Sequence, residues 1–259
     1  MTGAWVWAGA RAIGTAHLGQ GLPCQDAFAC KIWQRADASP VLIAALADGA
    51  GSAERAEIGS ALATSLFVDI VHEGFAASPG PPDAAHLLRY AVGEARRAIE
   101  MKAGHDDRAI NDYATTLLMV ILSRDAAVVG QIGDGAVVVP DAECGWRPVH
   151  WPDHGEYANT TRFLTEADAL DALQIATLAS PPRRVCLFSD GLERLVLDFR
   201  NRSAHAPFFD SICSRFDGRA DAGHAADVSH DLETLLTSDK VNSRTDDDKS
   251  LVCVAWLGG

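Results

Sequence analysis

The stretch Val41–Ser52, VLIAALADGAGS, decides how the chain is read. Seven apolar residues run without a break into Asp48-Gly49-Ala50-Gly51-Ser52, and a helical pattern follows. An unbroken apolar run of this length marks a strand buried on both faces. A carboxylate on a glycine-rich turn at its C-terminal end stands where the sheet stops and a ligand can approach. The glycines reach backbone angles closed to other residues, and they leave carbonyl oxygens bare enough to face an ion. Taken alone, Asp-Gly is first of all a turn signal, with Asp48 satisfying local amides.

The pattern recurs. Val185-Cys186-Leu187-Phe188-Ser189-Asp190-Gly191 is a second apolar strand ending in Asp-Gly. Near the C-terminus the order reverses, and Asp246-Asp247-Asp248-Lys249 leads into the apolar strand Ser250 to Trp256. If these strands are neighbours, their carboxylates converge at one edge of the sheet. There they repel and raise one another's pKa values unless a cation sits between them. Hard oxygen ligands of this kind suit Mg2+ or Mn2+ better than zinc.

The 259 residues are 48% hydrophobic and 22% charged, the composition of a soluble globular protein. No Pro/Gly/Ser-rich linker separates the acidic sites, so a single domain over residues 1–259 is expected. The net charge of −13 argues against nucleic acid as a partner, and so against a nuclease or phosphodiesterase reading. No run approaches the ~18 apolar residues of a membrane span, and MTGAWVWAGARAIG lacks the basic-then-apolar order of a signal peptide. The six cysteines show no CxxC spacing. Reduced, buried thiols in a cytoplasmic protein without membrane partners are expected.

Along the chain, Trp5 to Ala16 reads as a first strand, and Ala27 to Trp33 as the outer arm of a hairpin with Val41. After the turn, Ile58, Leu62, Leu66 and Ile70 mark one face of a helix with Ser52 as N-cap. A second helix starts near Asp83, with Leu87, Leu88, Ala91, Ala95 and Ile99 on one face, and Gly104–Asp112 reads as a loop. From Tyr113 the pattern predicts an antiparallel meander turning at Gly133-Asp134-Gly135. Asp141 to Pro182 is irregular, with Trp146, Trp151, His154, Tyr157 and Asn159 set among polar residues. Helices are predicted around Phe208–Phe216 and Ala225–Leu236. Strands, helices, strands, helices, strand is an α+β order.

Read together, these pieces resemble the metal-dependent serine/threonine protein phosphatases of type 2C. Gln25-Asp26 stands where that family usually has Glu-Asp. Asp48-Gly49 opens its Asp-Gly-x-Gly motif, and Thr115-Thr116 falls in its threonine-bearing strand. Gly133-Asp134-Gly135, Ser189-Asp190-Gly191 and Asp247-Asp248-Lys249-Ser250 complete a set of six in family order, from Gly14 to Trp256. CQDA and DGAGS are closest to bacterial single-domain members. The resemblance implies an α-β-β-α sandwich of two mainly antiparallel sheets flanked by helix pairs, with two Mg2+ or Mn2+ ions at one end. It implies that Asp48 bridges both ions, with the Gly49 carbonyl on one and Asp190 and Asp247 on the other. Asp26 and Gln25 act through water, and Thr116 and Asp134 stand behind the ligands. A metal-bridging hydroxide then attacks the phosphorus of phosphoserine or phosphothreonine in line.

The departures from the family's pattern are specific. Ala50 replaces the histidine often credited as general acid, Gln25 replaces a carboxylate, and Gly21 falls where an arginine clamps the phosphate. His17 and Arg55 are the nearest substitutes for that phosphate contact. In the family an accessory third ion uses an aspartate at the position of Arg194. A guanidinium cannot ligate a cation, so a weak or empty third site is expected. Either Arg194 turns inward to Asp134 or Asp190, or it projects into solvent, with Glu193 or Asp198 as compensating acids. These departures keep open a second reading, a catalytically weak phosphatase-like module that binds a phosphorylated partner. By resemblance the partner is a phosphorylated protein, a Ser/Thr kinase or its target.

Overall fold

The computed structural model describes residues 3–34, 39–78, 80, 82–152 and 161–258. It opens with β1 (Ala4–Ala12) and a short helix, α1 (Thr15–Gln20), where a strand continuing to Ala16 was expected. The strand stops because Gly14 lies against the aspartate loop near the C-terminus. A Cβ there would stand 2.3 Å from the Asp246 carbonyl oxygen. The hairpin β2 (Ala27–Trp33) and β3 (Val41–Ala47) forms as expected, and every residue of β3 is buried. Two long helices follow, α2 (Ala56–Ala77) and α3 (Ala84–His105). Then come β4 (Leu117–Leu122), β5 (Ala127–Ile132), β6 (Ala136–Asp141) and β7 (Gly145–Pro148). A one-turn α4 (Ala169–Ala172) precedes β8 (Gln174–Leu178) and β9 (Arg184–Phe188). The remainder is α5 (Glu193–Val196), β10 (Leu197–Asp198), β11 (Ser203–Ala204), α6 (Ala206–Cys213), β12 (Gly223–His224), α7 (Ala226–Leu236), α8 (Asp239–Asn242) and β13 (Lys249–Leu257).

The strands form two sheets, in the orders β2-β3-β4-β5-β8 and β10-β11-β7-β6-β9-β13-β1-β12. All pairings are antiparallel except β1 with β12. Alternation along β3 divides its side chains between two layers, as the period of two requires. Ile43 and Ala45 pack with Phe67 and Leu88 of the helices. Leu42, Ala44 and Leu46 meet Val185, Leu187, Val252 and Val254 of the other sheet. On that sheet's far side Cys186 and Cys253 pack with Phe209 and Leu232, on α6 and α7. The architecture is the α-β-β-α sandwich. No described helix is long and apolar enough to cross a membrane.

Several local expectations need correction. Ser52 does not cap α2, which starts four residues later at Ala56 with Arg55 before it. The glycine turn takes up the intervening chain, through Ala53 N–H to Ala50 O and Arg55 N–H to Asp112 O. The buried face of α2 is Gly59, Ala63, Phe67 and Val71, while Ile58, Leu62, Leu66 and Ile70 are only partly buried. Close packing selects the small residues, because a Cβ at Gly59 would stand 2.1 Å from the Tyr113 carbonyl oxygen. Asp83 does cap α3, accepting from Ala85 and His86 N–H. The helix runs on to His105, and Tyr113 ends a 3-10 turn (Ile110–Tyr113) rather than starting a strand. The meander also fails at Gly133–Gly135: β5 and β6 belong to different sheets. Gly133, at φ +106°, turns the chain from one layer to the other. Trp146 is buried in β7, whereas His154, Tyr157 and Asn159 lie outside the described residues.

Candidate active site and metal centre

The three Asp-bearing strand ends meet where the register brings them. β9 and β13 pair Phe188 with Leu251, so Ser189 and Ser250 come next to each other. Ser189 N–H donates to Ser250 O at 3.2 Å, and Ser250 N–H to Ser189 Oγ at 2.9 Å. Gly191 presses on the aspartate loop so closely that a Cβ would lie 2.0 Å from Asp248 O. On the other sheet, Ala27 pairs with Ala47, which sets Asp26 opposite Asp48. Ser189 Oγ crosses between the sheets and donates to Asp26 Oδ2 at 2.7 Å. The Asp48 backbone is fixed from both sides. Its N–H donates to Thr116 Oγ1 at 2.9 Å, its carbonyl accepts from Thr116 N–H at 2.8 Å, and Thr115 Oγ1 adds a third bond at 3.0 Å.

Asp26, Asp48, Asp190 and Asp247 therefore face one another. Burial pushes the Asp48 carboxyl well above the usual range, and the charges of Asp26 and Asp190 push it further. Asp190 is close enough that each of the two carboxyls shifts the other. Burial raises Asp26 to about 7 even against the serine hydroxyls, and Asp190 to about 6 with Asp134 and Asp247 adding repulsion. Asp247 opens to solvent on one side, yet the protein packed on its other side still raises it. Asp26 Oδ1 and Asp190 Oδ1 receive no hydrogen bond among the described residues.

That is the donor set a hard divalent cation needs: carboxylate oxygens crowded together and short of hydrogen-bond donors. Asp48, Asp190 and Asp247 would hold it together with the Gly49 carbonyl. Gly49 is required where it stands, because a Cβ would meet Ala56 Cβ at 2.7 Å and Gln25 O at 2.9 Å. Among the described residues no three His, Cys, Asp or Glu side chains already close around one point. Water would complete the shell, as Mg2+ prefers.

The other residues expected here divide by placement. Gln25 is buried, its N–H donating to Asp248 Oδ2 at 2.5 Å and its carbonyl accepting from Ser60 Oγ at 2.5 Å. His17, on α1, is also buried. Its Nδ1 lies 3.0 Å from Asp248 Oδ2, and its Nε2 faces the glycine turn, 3.9 Å from where a Cβ on Gly51 would be. Arg55 is exposed, and its guanidinium makes no hydrogen bond or ion pair among the described residues. Gly21 is the left-handed C-cap of α1 at φ +69°, a conformation that disfavours an arginine there.

Comparison with known proteins agrees with this geometry. The family model described as Protein phosphatase 2C matches residues 13–237. Serine/threonine-protein phosphatase 3 of Escherichia coli (strain K12) is 36% identical over 255 residues, covering 97% of this chain and 98% of that protein. The chain belongs to the protein phosphatase 2C family. It is a metal-dependent serine/threonine phosphatase of that family. Among solved structures, PppA of Pseudomonas aeruginosa, described as a key regulatory component of T6SS, shares the fold at TM-score 0.64 and 18% identity, over 98% of this chain and 100% of that one. The catalytic domain of the phosphatase PstP, in complex with 2 manganese ions, aligns at TM-score 0.61 and 18% identity, over 99% and 100% of the two chains.

Beside the main cleft of this phosphatase lies Asp134, buried, its Oδ2 accepting from the Thr161 hydroxyl. Arg194 is exposed and does not pair with Asp134 or Asp190, so an inward-turned guanidinium is ruled out. Glu193 is the buried neighbour instead. Burial raises it to about 7, and Asp190 and Asp134 add to the rise. One-turn α5 starts at Glu193, and this phase turns Glu193 in and Arg194 out. Sequence reasoning did not single out Ser189, Thr115 or Asp248. Ser189 and Thr115 adjoin motif residues, while Asp248 sat unremarked within the triple aspartate.

Proposed function

We propose that this phosphatase hydrolyses phosphoserine and phosphothreonine in proteins with two divalent ions, Mg2+ or Mn2+, held by Asp48, the Gly49 carbonyl, Asp190 and Asp247. The observation that carries it is the meeting of strand-end carboxylates from both sheets, buried together and short of donors. The solved PstP domain with its two manganese ions supports the count. When bound, such ions acidify water and offset charge on the phosphoryl oxygens. The chain supplies the rest. Asp26 Oδ2 is anchored by Ser189, leaving Oδ1 to accept a hydrogen bond from water. Thr115 and Thr116 fix the Asp48 backbone so that its carboxylate holds one position. His17, set by Asp248 and facing the glycine turn, is assigned the phosphate contact, and Arg55 remains at the rim. The site draws on both sheets, so residues 1–259 act as one unit. All six cysteines are free, which suits a reducing compartment such as the cytoplasm. A Ser/Thr kinase or its target is the phosphoprotein in view.

The test is hydrolysis of p-nitrophenyl phosphate and of a phosphothreonine peptide in Mn2+ against EDTA, with calorimetric titration of the metal. Turnover in Mn2+ only, with two ions bound, is expected. Tight metal binding without turnover would favour the phosphopeptide-binding module instead.

A further inference from the structure

Two clefts meet at the edge of this site. One, of about 300 Å³, is walled by Asp190, Glu193, Arg194, Arg244 and Asp247, and so contains two of the candidate metal ligands. The other, of about 430 Å³, opens among α5, α6, α7 and α8, where its lining turns apolar with Leu195, Phe208, Ile212, Leu235 and Val241. Leu195 and Arg244 line both clefts, which makes them continuous. Apolar walls with a few convergent polar groups are what a binding groove offers.

The charges along this path bear on what can enter it. The chain carries a net charge of −13, and several of its basic side chains are bonded to acids, as in Lys31 with Asp69, Arg108 with Glu54 and Arg184 with Asp217. Arg194, Lys240 and Arg244 are exposed, and their side chains make no hydrogen bond or ion pair among the described residues. All three line the two clefts. Cations without partners beside an acidic centre leave a route by which an anionic segment can approach.

We propose that the apolar groove selects the substrate. A bulky apolar side chain, a few residues from the phosphorylated serine or threonine, packs on Leu195, Phe208 and Leu235, while Arg244 bonds the polypeptide where it passes from one cleft to the other. This rests on reading Asp190 and Asp247 as part of the reaction centre. With the phosphorylated residue there, its flanking chain lies next to the only one of the two clefts whose walls are apolar. The substrate class is thus a phosphoprotein with a hydrophobic residue near the phosphosite, rather than any exposed phosphoserine.

Phosphothreonine peptides identical but for Leu or Ser, scanned through the positions on either side of the phosphosite, test this. At one position the Leu peptide should be preferred by about tenfold in kcat/KM, carried by KM. Phe208→Ser and Leu235→Gln should each remove that preference, while p-nitrophenyl phosphate, which has no flanking chain, is hydrolysed within about twofold of wild type. Thermal melts check that both variants fold. No preferred position in the wild type, or a preference that survives both variants, overturns the proposal. So does a dimer in solution that Leu235→Gln dissociates, because a second copy would then occupy the groove. If p-nitrophenyl phosphate is not turned over at all, the catalytic reading fails by itself. Anisotropy of fluorescein-labelled peptides still reads the preference, with the same two outcomes.

Discussion

Asp247 and Asp248 are neighbours in the chain and stand in opposite surroundings. Asp248 is 2% exposed, and its oxygens receive Gly14 N–H at 2.6 Å and Gln25 N–H at 2.5 Å, with His17 Nδ1 at 3.0 Å. It ties α1, the loop before β2 and the start of β13 into one piece. Asp247 faces the cleft, where Asp48 and Asp190 also stand and donors are few. A buried carboxylate among donors holds the structure together, whereas carboxylates among acceptors strain it until a cation arrives. The contrast separates scaffold from ligand more cleanly than burial does.

Removing Asp48 should break the contrast most visibly. Asp48→Asn is expected to lower kcat/KM by roughly a thousandfold or more, since the proposed centre would lose the carboxylate that both ions share. The metal-free protein should melt no lower than wild type, because one repelling acid is gone. Full activity in this variant would show the site to be wrongly assigned.

Asp248→Ala should do the reverse. Two backbone donors lose their acceptor in a buried setting, so urea denaturation should report a loss of about 3 kcal/mol, with or without metal. A loss seen only in the presence of metal would place Asp248 among the ligands.

Acidity gives a third handle. Asp26, at about 7, and Asp190, at about 6, lie above the 3.8 of an unperturbed aspartate. The folded metal-free protein therefore binds more protons than the unfolded chain across that window. These two groups make its stability fall as pH rises from about 4 to about 7. In EDTA the melting temperature should be higher at pH 5.5 than at pH 8, and saturating Mn2+ should flatten or invert the difference by favouring the ionised carboxylates. An unchanged slope in Mn2+ would mean the ions bind elsewhere.

The smallest effect is expected from Gln25→Glu. Gln25 Oε1 is buried without a donor, so a carboxylate there adds charge to the acceptor-rich side. Metal affinity should tighten by on the order of 1 kcal/mol, and the metal-free protein should lose some stability. Weaker metal binding in calorimetry would put Gln25 outside the ions' reach.

Much of this was legible in the sequence because buried strands and Asp-Gly turns are local signals. VLIAALADG, VCLFSDG and the run into Ser250–Trp256 each announce a strand and an acid at its end. What escaped depends on contacts distant in sequence. Nothing local reveals that Gly14 must press on Asp246, which ends β1 and starts α1. The meander from β5 to β6 has the pattern of a hairpin, and only the layer assignment shows that Gly133 carries the chain across. The face of α2 was misread because the helix is apolar nearly all round, and packing against Tyr113 favours glycine and alanine over isoleucine and leucine. Glu193 and Arg194 were unresolved because a one-turn helix has no periodicity to fix its phase.

The crossing hydrogen bond from Ser189 to Asp26 has a mechanical meaning. Asp48 belongs to one layer of the sandwich, and Asp190 and Asp247 to the other, with the apolar interface of Leu46, Val120, Leu187 and Val252 between them. A cation held as proposed, by acids of both layers, would act as a clasp, so anything that lets the sheets slide would change how well it closes. Affinity for metal and cohesion of the interior are then two readings of one free energy. Trimming Val252 or Leu46, neither of them an acid, should loosen the grip on the ion.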